Sequence, residues 1–426
     1  MYKPVFVISC PIDVYSGYSQ RSRDIVKSII ELDLYDVKIL PQSWGACSHG
    51  FIESNKEWEF LNKHILPNPQ LSSQPDIWMQ ITIPSEFQAI GKYNIGCTAG
   101  IESTGCDSSW IEGLNKMDMN WVSSKHSKEV FVQNKFEQRD KKTNQVIGII
   151  ELKKPIHVVF EGIDLDIYKF LPPTEVNLDL SDIKEEFCFL FVGHWMEGHM
   201  GHDRKNVGLL VKYFFDSFKN TSNPPALILK TSTGRESYMS RETIMDRILT
   251  IKNEYKGDKL PNIYILNGNL SNNEINQLYN HPKVKAMISL TKGEGYGRPL
   301  AEFCLSKKPI IATGWSGHTD FLDPLFTVAL SGVLENVHES AANQWLKKET
   351  QWFQVNEKHT ISAMKEMFKN YKKFLESSKR QGFKIKSTFG YEDMKELVGS
   401  ILKNNIPLIP QQLKFNLPTL QTPKPQ

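Results

Sequence analysis

Short apolar runs, each followed by a loop and an amphipathic segment, recur along most of the chain. Val5–Cys10 reads VFVISC, a turn-rich stretch follows it at Pro11–Gly17, and Ser19–Asp33 then places Ile25 and Ile29 on one helical face. Runs that are apolar at every position are typical of parallel strands buried on both faces. The pattern predicts an α/β protein on parallel sheets, opening with a Rossmann-type strand–loop–helix unit.

The alternation of strands and helices begins again after residue 186, with FCFLFV at Phe187–Val192. A chain of 426 residues exceeds one ordinary core, so we expect two Rossmann-like, doubly wound domains that face a cleft. The stretch Lys169–Ser181, with its proline pair and polar residues, is the expected join. The predicted parts are an N-terminal acceptor domain over 1–175, joined by a C-terminal helix near 388–404, a donor domain over 176–387, and a Pro-rich tail over 405–426.

The composition is that of an ordinary soluble protein, with 40% hydrophobic and 23% charged residues and a net charge of +3. This near-neutral balance disfavours a dedicated nucleic-acid binder. The six cysteines form no CxxC pair, which favours reduced thiols and a cytoplasmic location. The N-terminus lacks a basic n-region, and no apolar run approaches a membrane span. Peripheral membrane contact stays open.

The segment Ser289–Thr313, SLTKGEGYGRPLAEFCLSKKPIIAT, is the most informative part of the sequence. A strand at Ala286–Leu290 runs into a glycine-rich loop, and Arg298-Pro299 then opens a helix. Glycines allow backbone N–H groups to approach a ligand closely, and a helix N-terminus favours negative charge. The loop is therefore predicted to hold a diphosphate.

Two carboxylates bracket this loop, Glu294 before the helix and Glu302 within it. Carboxylates so near a phosphate are better suited to accept hydrogen bonds from sugar hydroxyls than to bind the phosphate itself. A diphosphate beside sugar hydroxyls describes a nucleotide sugar. The plain alternative is an ordinary strand–turn–helix with surface carboxylates.

The E-x7-E pattern from Glu294 to Glu302, with its strand, glycines and following helix, resembles that of the retaining glycosyltransferase family 4 (group 1), of the two-domain GT-B type. In the family the first Glu contacts the transferred sugar and the second binds the ribose. The resemblance implies those roles for Glu294 and Glu302, and backbone contacts to the donor phosphates from Gly295, Tyr296, Gly297, Arg298, Pro299 and Leu300.

A second resemblance lies at the start of the predicted donor domain. Gly193 follows a strand, and Arg204-Lys205 precedes a helix, as the strand-end glycine and basic pair do in the family. The resemblance implies that Lys205, with Arg204, neutralises the departing diphosphate, and a fixed cation there stabilises the charge that develops on it. The sequence departs from the family at His194, where an arginine is usual. A solvated helix start is the alternative for the basic pair.

The lengthened loop also carries His199 and His202. With His194 they match no standard zinc spacing, so we expect no metal, and the family needs none.

Other residues follow predicted strands and are assigned to the cleft by the same resemblance. The runs at Trp121–Ser124 and Glu161–Asp164 also resemble family segments, without an assigned role. The predicted acceptor-side and cleft residues are Gly17, Tyr18, Thr98, Glu102 and His318, and the residues predicted to hold the base are Asn269 and Leu270.

The resemblance implies transfer of a hexose-type sugar, with retention of configuration, from a UDP- or GDP-sugar to a glycan, lipid or other hydroxyl acceptor. Two alternatives remain: a non-catalytic protein that binds nucleotide sugars or glycans, favoured by the change at His194, and a transferase acting on modified DNA bases, disfavoured by the near-neutral charge. A phosphorylase of similar architecture would need a much longer chain.

Overall fold

A computed structural model describes residues 3–45, 47–68, 70–71, 73–140, 142–234 and 237–408. The first part of the chain folds around a six-stranded parallel sheet. Its elements, in chain order, are β1 (Val5–Cys10), α1 (Gly17–Glu31), β2 (Asp36–Pro41), α2 (Phe51–Ser54), β3 (Ile77–Ile81), β4 (Tyr93–Cys97), α3 (Ser108–Lys116), β5 (Met119–Val122), α4 (Lys125–Gln133), β6 (Phe136–Arg139), β7 (Val146–Ile150) and β8 (Ile156–Val158).

The second part repeats this architecture around another six-stranded parallel sheet. Its elements are β9 (Cys188–Val192), α5 (Val207–Phe218), β10 (Ala226–Lys230), α6 (Tyr238–Lys252), β11 (Ile263–Leu266), α7 (Asn272–Asn280), β12 (Val284–Ser289), α8 (Arg298–Cys304), β13 (Ile310–Thr313), β14 (Val328–Leu330), β15 (Gly332–Asn336), β16 (Gln351–Val355), α9 (Glu357–Lys369), α10 (Lys372–Thr388) and α11 (Tyr391–Asn405).

The strand orders locate the ligand edge of each sheet. The first sheet runs β2-β1-β3-β4-β5-β8 and the second runs β11-β10-β9-β12-β13-β14. In each, the chain reverses direction across the sheet next to its first strand, and doubly wound folds bind ligands at the carboxyl ends of the strands at such a switch point. The loops that follow β1, β9 and β12 are therefore the expected ligand loops.

The last helix belongs to the first core. Met394, Val398 and Leu402 of α11 are buried together with Ile25 and Ile29 of α1. We call β1–β8 with α11 the first lobe and β9–α10 the second lobe. The two segments that pass between the lobes lie side by side, since Ile163 and Gly390 form a parallel bridge and the Ile163 amide donates to the Phe389 carbonyl at 2.9 Å.

The α/β class and the two parallel sheets agree with the sequence prediction. The structure adds elements that the sequence pattern does not predict: α6, α9, α10 and the antiparallel hairpins β6–β7 and β15–β16. Of the predicted tail, residues 409–426 lie outside the described part of the chain. None of the helices in the described ranges combines the length and apolar character needed to cross a bilayer.

Candidate functional site

The loops after β9 and β12 bring two cations onto one carboxylate. The Lys205 ammonium lies 2.5 Å from one Glu294 oxygen, and the Arg204 guanidinium lies 3.5 Å from the other. Asn206, which has a left-handed backbone, ends the first loop as the residue that precedes α5. It directly follows the basic pair and fixes how the chain enters the helix. The structure thus brings together three residues that the sequence analysis assigns to catalysis.

The charge state of Glu294 follows from these neighbours. Its side chain is almost fully buried, and burial alone would raise the pKa of the carboxyl. Lys205 and Arg204 more than offset that effect and lower the pKa of Glu294 to about 2. Glu294 is therefore a permanent anion at neutral pH, ready to accept hydrogen bonds.

Glu302 occupies a different environment, one helical turn into α8. One of its oxygens lies 2.9 Å from the Arg298 side chain, and the other accepts a 3.2 Å hydrogen bond from the Tyr279 hydroxyl. Burial, which outweighs both of these contacts, raises the pKa of Glu302 to about 7. The two carboxylates of the E-x7-E pattern therefore differ sharply in their affinity for a proton.

Arg298 joins the second lobe to the first. Besides Glu302, its buried guanidinium contacts Asp24 of α1 at 2.6 Å and Glu161 at 3.8 Å. The sequence analysis assigns Arg298 to the donor phosphates through its backbone. Its side chain contacts three carboxylates, and the predicted backbone contact stays a prediction.

The loop from Gly293 to Gly297 is packed against the first lobe. A Cβ atom at Gly295 would lie 2.4 Å from the Ala99 carbonyl oxygen, and one at Gly293 would lie 1.8 Å from that of Glu102. The Ser123 hydroxyl donates to the Gly295 carbonyl at 3.0 Å. Glycine is therefore required at both loop positions by the approach of the opposite lobe.

The remaining residues of this loop are held by ordinary packing. Gly297 has φ 96° and precedes α8, and Pro299 occupies the first helical turn. Tyr296 and Leu300 are buried in the core of the second lobe. The ring of Tyr296 packs on Phe321 at 4.9 Å.

The acceptor-side residues predicted from the sequence lie at the facing edge of the first sheet. The Tyr18 hydroxyl hydrogen-bonds the Thr98 hydroxyl at 2.8 Å and accepts from the Ala99 amide. Glu102 reaches across to Arg204 at 3.7 Å. Gly17 begins α1 beside Tyr18, with nothing within 4 Å of its Cβ direction.

His318, which the sequence analysis places in the cleft, is fully buried. Its Nε2 contacts the Thr313 carbonyl oxygen at 2.6 Å, and its Cβ lies 3.0 Å from the position that a Gly297 Cβ would take. His318 therefore packs against the loop at Gly297 and supports it.

The other predicted donor residues lie at the edges of the site. His194, at the position of the family's arginine, is exposed and contacts the Ser232 hydroxyl at 2.9 Å, next to Gly193. Asn269 and Leu270 follow β11, and Leu270 packs against the second-lobe core.

The loop histidines associate with another element. The ring of His202 stacks on His338 at 3.9 Å, and His199 lies 5.7 Å from the same ring. Across the residues whose placement is known, no three His, Cys, Asp or Glu side chains are grouped so as to hold a metal ion.

Several buried polar atoms around this site make no hydrogen bond within the described chain. They include both side-chain amide atoms of Asn206, the Tyr296 hydroxyl, His318 Nδ1 and the three guanidinium nitrogens of Arg21. A buried polar group without a partner costs roughly 1–3 kcal/mol, so native proteins tolerate few of them. Those on Asn206 and Arg21 lie close to the basic pair and to Glu161, respectively, where a polar ligand or ordered water would satisfy them.

The sequence analysis does not single out Asp24, Arg21 or Glu161. Arg21 and Asp24 are buried in α1, and Glu161 interacts electrostatically with Arg21 and Arg298. A signal for Arg21 is present in the sequence, because Arg21 shares the helical stripe of Ile25 and Ile29, where a core residue is expected.

No family model and no curated protein matches this sequence. Solved structures do match. A glycosyltransferase from Rickettsia africae ESF-5 is 14% identical with a TM-score of 0.60, covering 95% of this chain and 99% of that one. Anabaena Alr3699/HepE, in complex with UDP and glucose, is 12% identical with a TM-score of 0.61, covering 94% and 100%. WaaG, a glycosyltransferase involved in lipopolysaccharide biosynthesis, is 11% identical with a TM-score of 0.56, covering 93% and 99%.

At such identities a match establishes the fold alone. These matches extend over nearly the whole of each chain, so both lobes and their arrangement are shared. The protein therefore has the GT-B fold of these glycosyltransferases, with two Rossmann-like sheets whose ligand edges face each other.

Proposed function

We propose that this protein is a glycosyltransferase that moves a hexose-type sugar from a nucleotide sugar to a hydroxyl acceptor. The observation that carries the proposal is the pairing of Glu294 with Lys205 and Arg204 at the switch point of the second sheet. A permanent carboxylate beside two cations supplies both groups that a sugar diphosphate needs. Anabaena Alr3699/HepE, which shares the fold, is described with UDP-glucose, and this supports a uridine or similar donor.

In the proposed reaction Glu294 accepts hydrogen bonds from hydroxyls of the transferred sugar. The donor diphosphate replaces Glu294 as the partner of Lys205 and Arg204, and these cations stabilise the charge that the leaving group gains. The backbone of Gly295–Leu300 lies against the phosphates. The acceptor hydroxyl attacks from the side of the leaving group and transfers its proton to a donor phosphate oxygen, which gives retention.

The nucleoside half of the donor is proposed to lie between Glu302 and the loop after β11. Glu302 accepts from the ribose hydroxyls, and Asn269 and Leu270 contact the base. Because Glu302 is paired with Arg298 and Tyr279 here, ribose binding requires the carboxylate to exchange at least one of these partners. We further propose that the reaction needs no metal and takes place in the cytoplasm, where nucleotide sugars and reduced thiols occur together.

The test is a thermal-shift and hydrolysis screen against UDP-, GDP-, ADP- and dTDP-sugars. We expect one donor to raise the melting temperature and to be hydrolysed slowly. Glu302→Ala is expected to weaken nucleotide binding, whereas Glu294→Ala spares it and lowers turnover. Wild-type rates of transfer in both variants contradict the site assignment. Binding of a donor without turnover in the presence of any acceptor favours the non-catalytic alternative.

A further inference from the structure

Apart from the candidate donor site, the first lobe carries an open cavity at the carboxyl edge of its sheet. It has a volume of about 590 Å³ and lies against the loops that follow β1 and β2, within the range of small-ligand sites. Its polar lining includes the side chains of Asp13, Gln42, Glu53, Lys56, Glu59 and Asn62. None of them belongs to the donor site described above.

The cavity is built by the long connection between β2 and β3, which folds back onto the switch point of the first sheet. Val14 pairs with His49 in an antiparallel bridge, and the Asp13 carboxylate accepts from the amides of Gly50 and Ile52 at 3.2 and 2.8 Å. A long connection that is tied down in this way is more often functional than incidental. The cavity wall is therefore a fixed structure at the ligand edge.

An aromatic pair links this cavity to the donor site. Trp44, next to the cavity residues Gln42 and Ser43, stacks on Tyr18 with ring centroids 4.1 Å apart. Tyr18 in turn bonds Thr98, at the edge that packs on the Glu294 loop. Trp44 and Tyr18 therefore lie between the cavity and the edge of the first lobe that faces the Glu294 loop.

The charges of the cavity restrict what it can bind. Glu53, Glu59 and Lys56 are exposed and make no ion pair with any residue of the described ranges. Asp13 adds a third carboxylate, whose charge is partly offset by the buried Arg23 guanidinium, so the wall stays net negative and disfavours phosphate and carboxylate groups. Carboxylates accept hydrogen bonds from hydroxyls, and side-chain amides both accept and donate them. An aromatic face packs against the apolar side of a sugar ring.

We propose that this cavity is the acceptor site and that it selects uncharged carbohydrate over phosphorylated or otherwise anionic acceptors. The proposal rests on the glycosyltransferase function proposed above and names its acceptor class. The acceptor chain lies along Glu53 and Glu59, its ring nearest the donor packs on Trp44, and its terminal hydroxyl faces Glu294.

The test measures binding of the full-length protein to an array that pairs neutral oligosaccharides with their phosphorylated derivatives. We expect the neutral member of a pair to bind at least about tenfold more tightly. The double variant Glu53→Lys/Glu59→Lys is expected to lose this preference or reverse it. Trp44→Ala is expected to weaken neutral binding about tenfold, and Glu57→Lys, which changes an exposed carboxylate outside the cavity wall, preserves the wild-type pattern.

Failure of this proposal is distinct from failure of the proposed function, because donor binding and hydrolysis need no acceptor. If a nucleotide sugar binds and is hydrolysed but no neutral glycan is retained, or if Glu53→Lys/Glu59→Lys binds the array as the wild type does, the cavity is not the acceptor site. Preferential retention of phosphorylated glycans by the wild type overturns the proposed selectivity. If the wild type binds no nucleotide sugar, the proposed function itself is contradicted.

Discussion

The Arg298 guanidinium lies 2.6 Å from the Asp24 carboxylate, and this buried ion pair joins the donor loop to the first helix of the opposite lobe. Breaking a buried pair leaves an uncompensated charge, which typically costs about 3–5 kcal/mol. Arg298 also begins the helix that carries Glu302, so the pair ties that helix to the first lobe.

We therefore expect strong energetic coupling between Asp24 and Arg298. In a double-mutant cycle with Asp24→Ala and Arg298→Ala, urea unfolding should give a coupling energy above about 1 kcal/mol. The exposed pair Lys373–Glu366, at 3.2 Å, is the matched control and should give below about 0.5 kcal/mol. Equal coupling in the two cycles contradicts a structural role for the buried pair.

Glu294→Gln tests the carboxylate at the centre of the site. The amide keeps the shape of the side chain but loses the charge that pairs with Lys205. We expect turnover to fall about 10²-fold, with nucleotide affinity within about threefold of the wild type. Single-turnover kinetics and calorimetric titration with the nucleotide separate these effects. Glu242→Gln on α6, where the side chain is half-buried and pairs with the neighbouring Arg241, is the control. Turnover above a tenth of the wild type in Glu294→Gln excludes the proposed role.

The raised pKa of Glu302 predicts a pH-dependent stability. Its folded-state pKa of about 7 exceeds its ordinary value of 4.5, so its contribution to stability is complete below pH 4.5 and is lost as the pH rises through 7. Glu302→Gln resembles the protonated acid at every pH. Its stability relative to the wild type should therefore increase between pH 5 and pH 8, by an amount on the order of 2 kcal/mol.

Chemical denaturation across that range measures the effect. The exposed Glu376→Gln on α10 is the control and should show no such trend. Glu294 does not interfere, because its lowered pKa of about 2 places its own loss of stability below pH 4.5. A constant difference between Glu302→Gln and the wild type would show that Glu302 is already ionised throughout.

Gly293→Ala tests the contact between the lobes. Its Cβ would meet the Glu102 carbonyl oxygen at 1.8 Å, so the loop or the opposite lobe must move, at a cost of about 1–3 kcal/mol. Gly17→Ala is the matched control, because nothing lies within 4 Å of its Cβ. We expect a lower melting temperature and a larger radius of gyration in scattering for Gly293→Ala alone. Equal stability of the two variants contradicts the close approach of the lobes.

The elements that the sequence predicts best are those whose pattern is local. The apolar run Ala226–Lys230 matches β10 to the residue, because a strand covered on both faces is apolar at every position. Helix α6 is not predicted, since among its buried residues only Ile244 and Ile251 are aliphatic and its periodicity is weak. Helix α10 packs on α8, and nothing in its own sequence indicates that neighbour.

The same distinction between local patterns and distant contacts applies to the candidate site. Lys205 and Glu294 are found from the sequence because each lies in a recognisable strand–loop–helix segment. The contact of Arg298 with Asp24 spans 274 positions and depends on how two separately folded lobes face each other, which no local pattern encodes. The cavity beside Trp44 arises likewise from a connection with little periodicity, folded back onto a sheet that the sequence does predict.

The bridge between Ile163 and Gly390 pairs the two segments that connect the lobes. The elements β1 and α11 both belong to the first lobe, so the described chain passes to the second lobe and returns from it, and these two passages are hydrogen-bonded to each other. Two separate connections would join the lobes at two points, whereas these two paired segments join them along one line. In the proposed reaction, opening the cleft would break the contacts of the Glu294 loop with the first lobe and turn the lobes about that line. A protease cut at either passage alone would leave the lobes attached through the other.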